Sequence, residues 1–86
     1  MRARPIVASH AYQHGLSKQD ILHAWRNAYK EHVRHGPYPP QHVMIGPDAT
    51  GHDIQLVAVW NEEKERWVIF HAMRATNKVR KAPGLL

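Results

Sequence analysis

Histidine is the residue type in this sequence that most directly suggests chemistry. The chain has 86 residues, of which eight are histidine and none is cysteine. Because imidazole has an ordinary pKa of about 6.5, histidine takes up and releases protons near neutral pH. The count suits a proton-transfer site, a metal site or a pH sensor. The lack of cysteine excludes a thiol nucleophile, a thiolate zinc site and a disulfide framework.

Two pairs of histidines are close enough in sequence to be considered as possible metal ligands or as one binding face. His10 and His14 are four positions apart, so a helix places both on one face. Two histidines provide only half of a zinc site, and no glutamate stands between them as the helical zinc-protease motif requires. His32 and His35 form a looser pair. We therefore expect no metal and no cofactor, and a structural or capping role for His14 stays open.

His71 is a candidate acid–base residue at the end of a predicted strand. It stands immediately before a cationic stretch, so a proton-transfer group and phosphate-binding groups occur together in the sequence. Strand alternation predicts that His71 shares a face with Trp67, Ile69 and Met73. A hydrogen-bonded histidine in the core is therefore the alternative interpretation.

The charge is distributed in blocks. The net charge is +5, yet residues 36–63 contain four acidic residues and no Lys or Arg, whereas both flanking blocks are basic. A basic surface attracts polyanions such as RNA, DNA, anionic lipid or an acidic partner. A solvated charged face is the alternative. The cations after the last acidic residue include Arg74, Lys78, Arg80 and Lys81.

Two helical segments are predicted in the first third of the chain. Ser9 as N-cap and Gly15 as terminator predict a short helical turn. A capping box of Ser17 and Asp20 predicts the start of a second helix, which buries a stripe that includes Trp25. We expect this helix to break near Asn27. The alternatives after the break are continued helix as far as residue 36 or a strand with alternating residues.

The rest of the chain predicts an antiparallel sheet. Residues 42–45 form a candidate strand, residues 52–60 a central strand with apolar residues on both faces, and residues 67–73 its hairpin partner. A short basic helix is predicted for residues 75–81. The fold class is therefore α+β: N-terminal helices packed on a small antiparallel sheet, with a short basic C-terminal helix or tail, in one domain of residues 1–86. Trp25 and Trp60 are expected in the core rather than stacked on bases.

No apolar run approaches the ~20 residues that a membrane span requires, and the N-terminus has no signal-peptide pattern. A cytoplasmic setting without membrane association is expected.

Three short motifs and the order of elements resemble the BrnT-type toxins of bacterial type II toxin–antitoxin modules, which have a RelE-like ribonuclease fold. The first motif is residues 14–17, at the start of the second helix. The second is residues 45–51, before the central strand, and the third is residues 70–76, at the end of the sheet. The resemblance extends from about residue 10 to residue 81.

Several positions depart from the family pattern. Met73 stands where the family usually has an arginine, and Arg74 follows one position later. Val79 replaces a usual acidic residue, and the opening strand is shortened to residues 4–8. His71 stands where the family has a small residue, so it is the candidate replacement for altered catalytic machinery.

The resemblance implies a metal-independent endoribonuclease toxin, an mRNA interferase, that is neutralised by a cognate antitoxin. The antitoxin is expected to carry a ribbon-helix-helix domain, so contact with DNA is indirect, and the substrate is RNA. We assign acid–base and phosphate-stabilising roles to His71, Arg74 and His14. RNA binding is assigned to His10, Lys78, Arg80 and Lys81. The alternative is a degenerate, non-catalytic module that keeps the toxin fold and binds an antitoxin or nucleic acid.

Overall fold

One α-helix and a five-stranded sheet form the fold in the computed structural model, which describes residues 4–36 and 38–76. The predicted α+β class is confirmed. The elements are β1 (Ile6–Val7), a 3₁₀ turn (Ser9–Tyr12), α1 (Lys18–Arg26), β2 (Lys30–Arg34), β3 (Gln41–Pro47), β4 (Asp53–Asn61) and β5 (Arg66–Arg74).

Helix α1 begins and ends where the sequence predicts. The Ser17 hydroxyl accepts a hydrogen bond from the backbone N–H of Asp20 at 3.1 Å, which satisfies one of the free amides of the first turn. At the other end, the backbone N–H and the side-chain amide of Asn27 both donate to the carbonyl of His23. The helix ends at Arg26, and the Asn27 side chain caps its last turn. The following residues then form β2, which was the strand alternative.

The predicted short helical turn is present as a 3₁₀ turn over residues 9–12 and not as an α-helix. The N-cap position is occupied by Ala8, which has no polar side chain, so Ser9 does not cap the element. Gly15 has a φ of 82° and ends the turn region after too few residues to propagate an α-helix. The described part of the chain therefore has one α-helix rather than several.

The sheet is mixed rather than wholly antiparallel, which corrects the prediction. The strand order is β1-β5-β4-β3-β2, and β4 is central as expected. Strands β2 to β5 are antiparallel neighbours, whereas β1 pairs with β5 in parallel. This parallel pair joins strands that are far apart in sequence, so local hairpin signals do not predict it.

Helix α1 packs closely on one face of the sheet, which we call the helix face. A Cβ atom at Gly46 in β3 would lie 2.2 Å from the carbonyl oxygen of Ala24, so this position requires glycine. Trp25 is fully buried, as predicted. The main buried cluster consists of Ala11, Leu16, Ile21, Ala24, Trp25, Met44, Ile54, Leu56, Ala58, Ile69 and Ala72.

A β-bulge in β5 changes which side chains share a face. Val57 of β4 pairs with His71, but the next residue, Ala58, pairs with Ile69, so Phe70 is the extra residue. Paired residues of neighbouring strands point to the same side of the sheet. Ile69 therefore lies on the helix face and His71 on the opposite face, which corrects the predicted alternation.

Two other predictions from the sequence have different outcomes. Trp60 is 41% exposed, so its predicted place in the core is wrong. Ala75 and Thr76 have no helical structure, and the remainder of the basic helix predicted for residues 75–81 lies outside the described residues. Among the residues that the structure describes, no helix has the length and apolar character needed to cross a membrane.

Candidate functional site

Three histidines from two separate parts of the chain come together on the face of the sheet opposite α1. His10 belongs to the 3₁₀ turn and His14 follows it, whereas His71 comes from the neighbouring strand β5. The rings of His14 and His71 contact each other edge to face, with centroids 5.3 Å apart and planes at 75°. We call His10, His14 and His71 the histidine cluster. All three were predicted as site residues, and the fold brings them together.

The bulge at Phe70 explains how His71 reaches this cluster. It turns the His71 side chain away from the helix-face core, where strict alternation with Ile69 would have placed it. His71 is only partly buried. The structure therefore does not support the interpretation of His71 as a histidine enclosed in the core.

Burial lowers the pKa of His71 below its ordinary value of 6.5, and electrostatic interactions with His14, His10 and Arg34 lower it further. Each of these causes disfavours a positive charge on the His71 imidazole. The His71 imidazole is consequently neutral at pH 7 and has a lone pair available to accept a proton. A neutral histidine among cationic groups is the state that a general base requires.

A concavity of about 330 Å³ opens beside the histidine cluster. The described residues that line it have basic, amide, aliphatic and aromatic side chains, and none of them has a carboxylate. We call it the basic concavity, and it is suited to an anionic ligand because no negative charge lines it. The lining residues are His10, Arg34, Gln41, Val43, Gln55, Val57, Phe70 and His71.

Arg34 is the cation that sequence reasoning missed at this site. Its strand, β2, is at the far edge of the sheet, and Arg34 pairs with Gln41 of β3. The side chains of Gln41 and Gln55 supply amide groups between Arg34 and His71. In a strand, Lys30, His32 and Arg34 alternate onto one face, the face of the basic concavity. This pattern could have indicated Arg34 only if residues 30–34 had been assigned as a strand rather than left as one of two interpretations.

Arg74 does not join the histidine cluster. It pairs with Ile54 of the core, so it lies on the helix face, and its Nη1 donates to Asp48 Oδ2 at 2.5 Å. Asp48 is 3% exposed and also accepts hydrogen bonds from the hydroxyl and amide of Thr50 and the amide of His52. Arg74 therefore closes the turn between β3 and β4, and this structural contact places it on the other face of the sheet from the histidine cluster.

The Arg74–Asp48 pair has a clear electrostatic signature. Hydrogen bonds from the Arg74 guanidinium and the Thr50 hydroxyl hold the pKa of the Asp48 carboxyl well below its usual range. Asp48 is therefore ionised at all physiological pH values. The pair uses the Nη1 donor of Arg74, so this end of the guanidinium is turned to the β3–β4 turn.

The remaining predicted RNA-binding residues, Lys78, Arg80 and Lys81, lie outside the described residues, as does Val79. Within residues 4–36 and 38–76, no group of three or more His, Asp or Glu side chains is arranged to hold a metal ion. Comparison of the chain with protein-family models, curated proteins and solved structures finds no match.

Proposed function

We propose that this domain is a metal-independent endoribonuclease that acts as the toxin of a type II toxin–antitoxin module. The observation that carries the catalytic part of this proposal is the contact between His14 and His71 beside the basic concavity. One imidazole is held neutral and a second lies against it. Cleavage of RNA by its own 2′-hydroxyl uses two such groups, one that takes a proton and one that gives a proton.

In the proposed reaction, His71 accepts the proton of the ribose 2′-hydroxyl. The 2′-oxygen then forms a bond to the adjacent phosphorus, and the bond from phosphorus to the 5′-oxygen breaks. His14 gives its proton to that departing oxygen, and His10 is the second candidate for this role. The products are a 2′,3′-cyclic phosphate and a free 5′-hydroxyl, so no oxidant, metal or external nucleophile is needed.

Arg34 replaces Arg74 as the phosphate-binding cation in this mechanism. The negative charge on the phosphorus oxygens increases as the 2′-oxygen attacks, and a guanidinium aimed at those oxygens stabilises this charge. Arg34 lines the same concavity as His71, whereas the guanidinium of Arg74 is bonded to Asp48. Phe70, which also lines the concavity, offers an aromatic ring for a neighbouring base.

The toxin assignment rests on the resemblance to BrnT-type proteins. The resemblance implies a cognate antitoxin that covers the basic surface of this domain. The ribbon-helix-helix domain of the antitoxin would make the contacts of the complex with DNA. The net charge of +5 supports binding to RNA and to an acidic antitoxin segment.

The test is cleavage of a labelled RNA in EDTA, both as free RNA and as mRNA translated by purified ribosomes. We expect products with a 2′,3′-cyclic phosphate, and no cleavage where the reacting nucleotide is replaced by its 2′-deoxy form. His71→Gln should slow cleavage by about 10²–10⁴-fold. His52→Gln is the matched control, because His52 is an exposed histidine in the turn before β4. Equal rates for wild type and His71→Gln would contradict the site assignment.

A non-catalytic toxin-fold module is the second candidate, and the Arg74–Asp48 pair favours it. In this case the domain binds its antitoxin without cleaving RNA, because the arginine near the family position is used for structure. Expression without a partner discriminates the two functions. A ribonuclease arrests growth and the His71→Gln variant does not, whereas the module leaves growth unchanged in both forms.

A further inference from the structure

A second concavity, of about 550 Å³, lies at the end of the sheet where β2 is connected to β3 and β4 to β5. Residues 38–40 line one part of it, and Trp60, Glu62 and Glu63 line another. Trp60 pairs with Trp67, which packs against the core, so these tryptophans belong to the helix face. The histidine cluster is on the opposite face. We call this second concavity the aromatic–acidic groove.

Trp60 supplies a fixed aromatic surface in this groove. Its ring contacts that of Trp67 at a centroid distance of 5.5 Å and an angle of 72°. Trp67 in turn contacts the buried ring of Trp25 at 6.0 Å and that of His42 at 4.6 Å. Trp60 is thus connected to the core through other rings while 41% of its surface is exposed. Tyr38, which also lines the groove, is 92% exposed.

The charge of the groove is opposite to that of the protein as a whole. Glu62 and Glu63 are exposed, and none of the described residues that line the groove is Lys or Arg. His42 is the one basic side chain among the described lining residues, and its Nδ1 donates to the Glu31 carboxylate at 2.7 Å. The groove lies in the acidic block of residues 36–63, within a chain of net charge +5. Charge of this sign repels phosphate groups, so the exposed rings are unsuited to stacking RNA bases.

We propose that the aromatic–acidic groove binds an extended, arginine-containing segment of a partner protein. A guanidinium stacks on the face of Trp60 and donates hydrogen bonds to the carboxylates of Glu62 or Glu63. Arginine fits better than lysine because its planar group stacks and donates in two parallel bonds. Aromatic walls such as the ring of Tyr38 are typical of grooves that take extended peptides.

The test is a titration of the full chain with a blocked tetra-arginine peptide, followed by two-dimensional NMR. We expect saturable shifts of the Trp60 indole N–H and of the amides of Glu62 and Glu63. The double variant Glu62→Gln/Glu63→Gln should weaken binding by about tenfold, and Trp60→Leu by about fivefold to thirtyfold. Glu65→Gln is the matched control, because it removes one charge from the same turn at a residue outside the groove.

A blocked tetra-lysine peptide should bind at least about threefold more weakly than tetra-arginine. Glu62→Gln/Glu63→Gln should leave RNA cleavage unchanged, because the groove and the histidine cluster are on opposite faces. Three results would overturn the proposal. These are no saturable binding of tetra-arginine, equal affinity in Glu62→Gln/Glu63→Gln and wild type, or shifts of the Trp60 indole by oligouridylate and not by the peptide.

Discussion

Replacement of Gly46 by alanine tests how closely α1 approaches the sheet. The new Cβ would lie 2.2 Å from the carbonyl oxygen of Ala24, 2.9 Å from its carbonyl carbon and 3.0 Å from Cα of Ala28. Ordinary van der Waals contact begins at 3.4 Å, so the helix backbone must move by about 1.2 Å at the closest point. All three atoms belong to the backbone, and a side-chain rotation cannot relieve the contact.

We expect Gly46→Ala to lower the free energy of unfolding by about 1–3 kcal/mol, which is the usual cost of forcing extra atoms into a packed interior. For a domain of this size, each kcal/mol lowers Tm by roughly 4–8 °C. Urea unfolding followed by tryptophan fluorescence measures the change, because the buried Trp25 lies in the displaced helix.

Gly36→Ala is the matched control for this substitution. A Cβ at Gly36 meets no atom within 4 Å, and its backbone does not require a positive φ. We expect its stability to equal that of the wild type or to exceed it by up to about 1 kcal/mol, because alanine restricts the unfolded chain. A loss below about 0.5 kcal/mol in Gly46→Ala, or equal losses in both variants, would refute the packing of α1 on β3.

Three further predictions concern charge. Arg34→Gln should slow RNA cleavage by about 10²–10³-fold in a single-turnover assay, whereas Arg74→Gln should leave the rate per folded molecule within about threefold of wild type. A larger loss of rate in Arg74→Gln than in Arg34→Gln would assign the catalytic role to Arg74. The pKa of His71 is below 6.5 in the folded protein, so the unfolded chain binds its proton first and the free energy of unfolding falls as the pH drops below 6.5. Urea unfolding at a series of pH values should show that this free energy depends less on pH in His71→Gln than in the wild type. An unchanged pH dependence would contradict the lowered pKa. The stability that the Asp48 carboxylate contributes is fully present above its ordinary pKa of 3.8 and is lost as the pH falls below that value. Acid titration followed by circular dichroism should show a smaller loss of stability in Asp48→Asn than in the wild type. Identical acid transitions in the two proteins would contradict a stabilising contact between Asp48 and Arg74.

Local sequence signals predicted the elements that depend on local interactions. Ser17 caps the start of α1 through a hydrogen bond to a backbone N–H three residues later, so a capping rule predicted that end. The side chain of Asn27 bonds the carbonyl four residues before it, at the position where the break was expected. The β4–β5 hairpin followed from alternation and a polar turn. The parallel pairing of β1 with β5 depends on contacts across most of the chain, for which two apolar residues at Ile6–Val7 give no recognisable pattern.

The candidate site was predicted only in part, for a physical reason. The side of a strand on which a residue lies depends on every bulge before it, and no sequence feature indicated the extra residue Phe70. That one residue places His71 with His14 and leaves Arg74 on the helix face. Arg34 was missed because its strand was one of two interpretations of residues 28–36.

The most direct test of the account is a double-mutant cycle in the histidine cluster. RNA cleavage rates are measured for wild type, His14→Gln, His71→Gln and the double variant, with folding of each checked by circular dichroism. If the two imidazoles act as one catalytic unit, the double variant should be within about threefold of the slower single variant. Losses that multiply, or a wild-type protein that cleaves neither free nor translated RNA, would contradict the central claim.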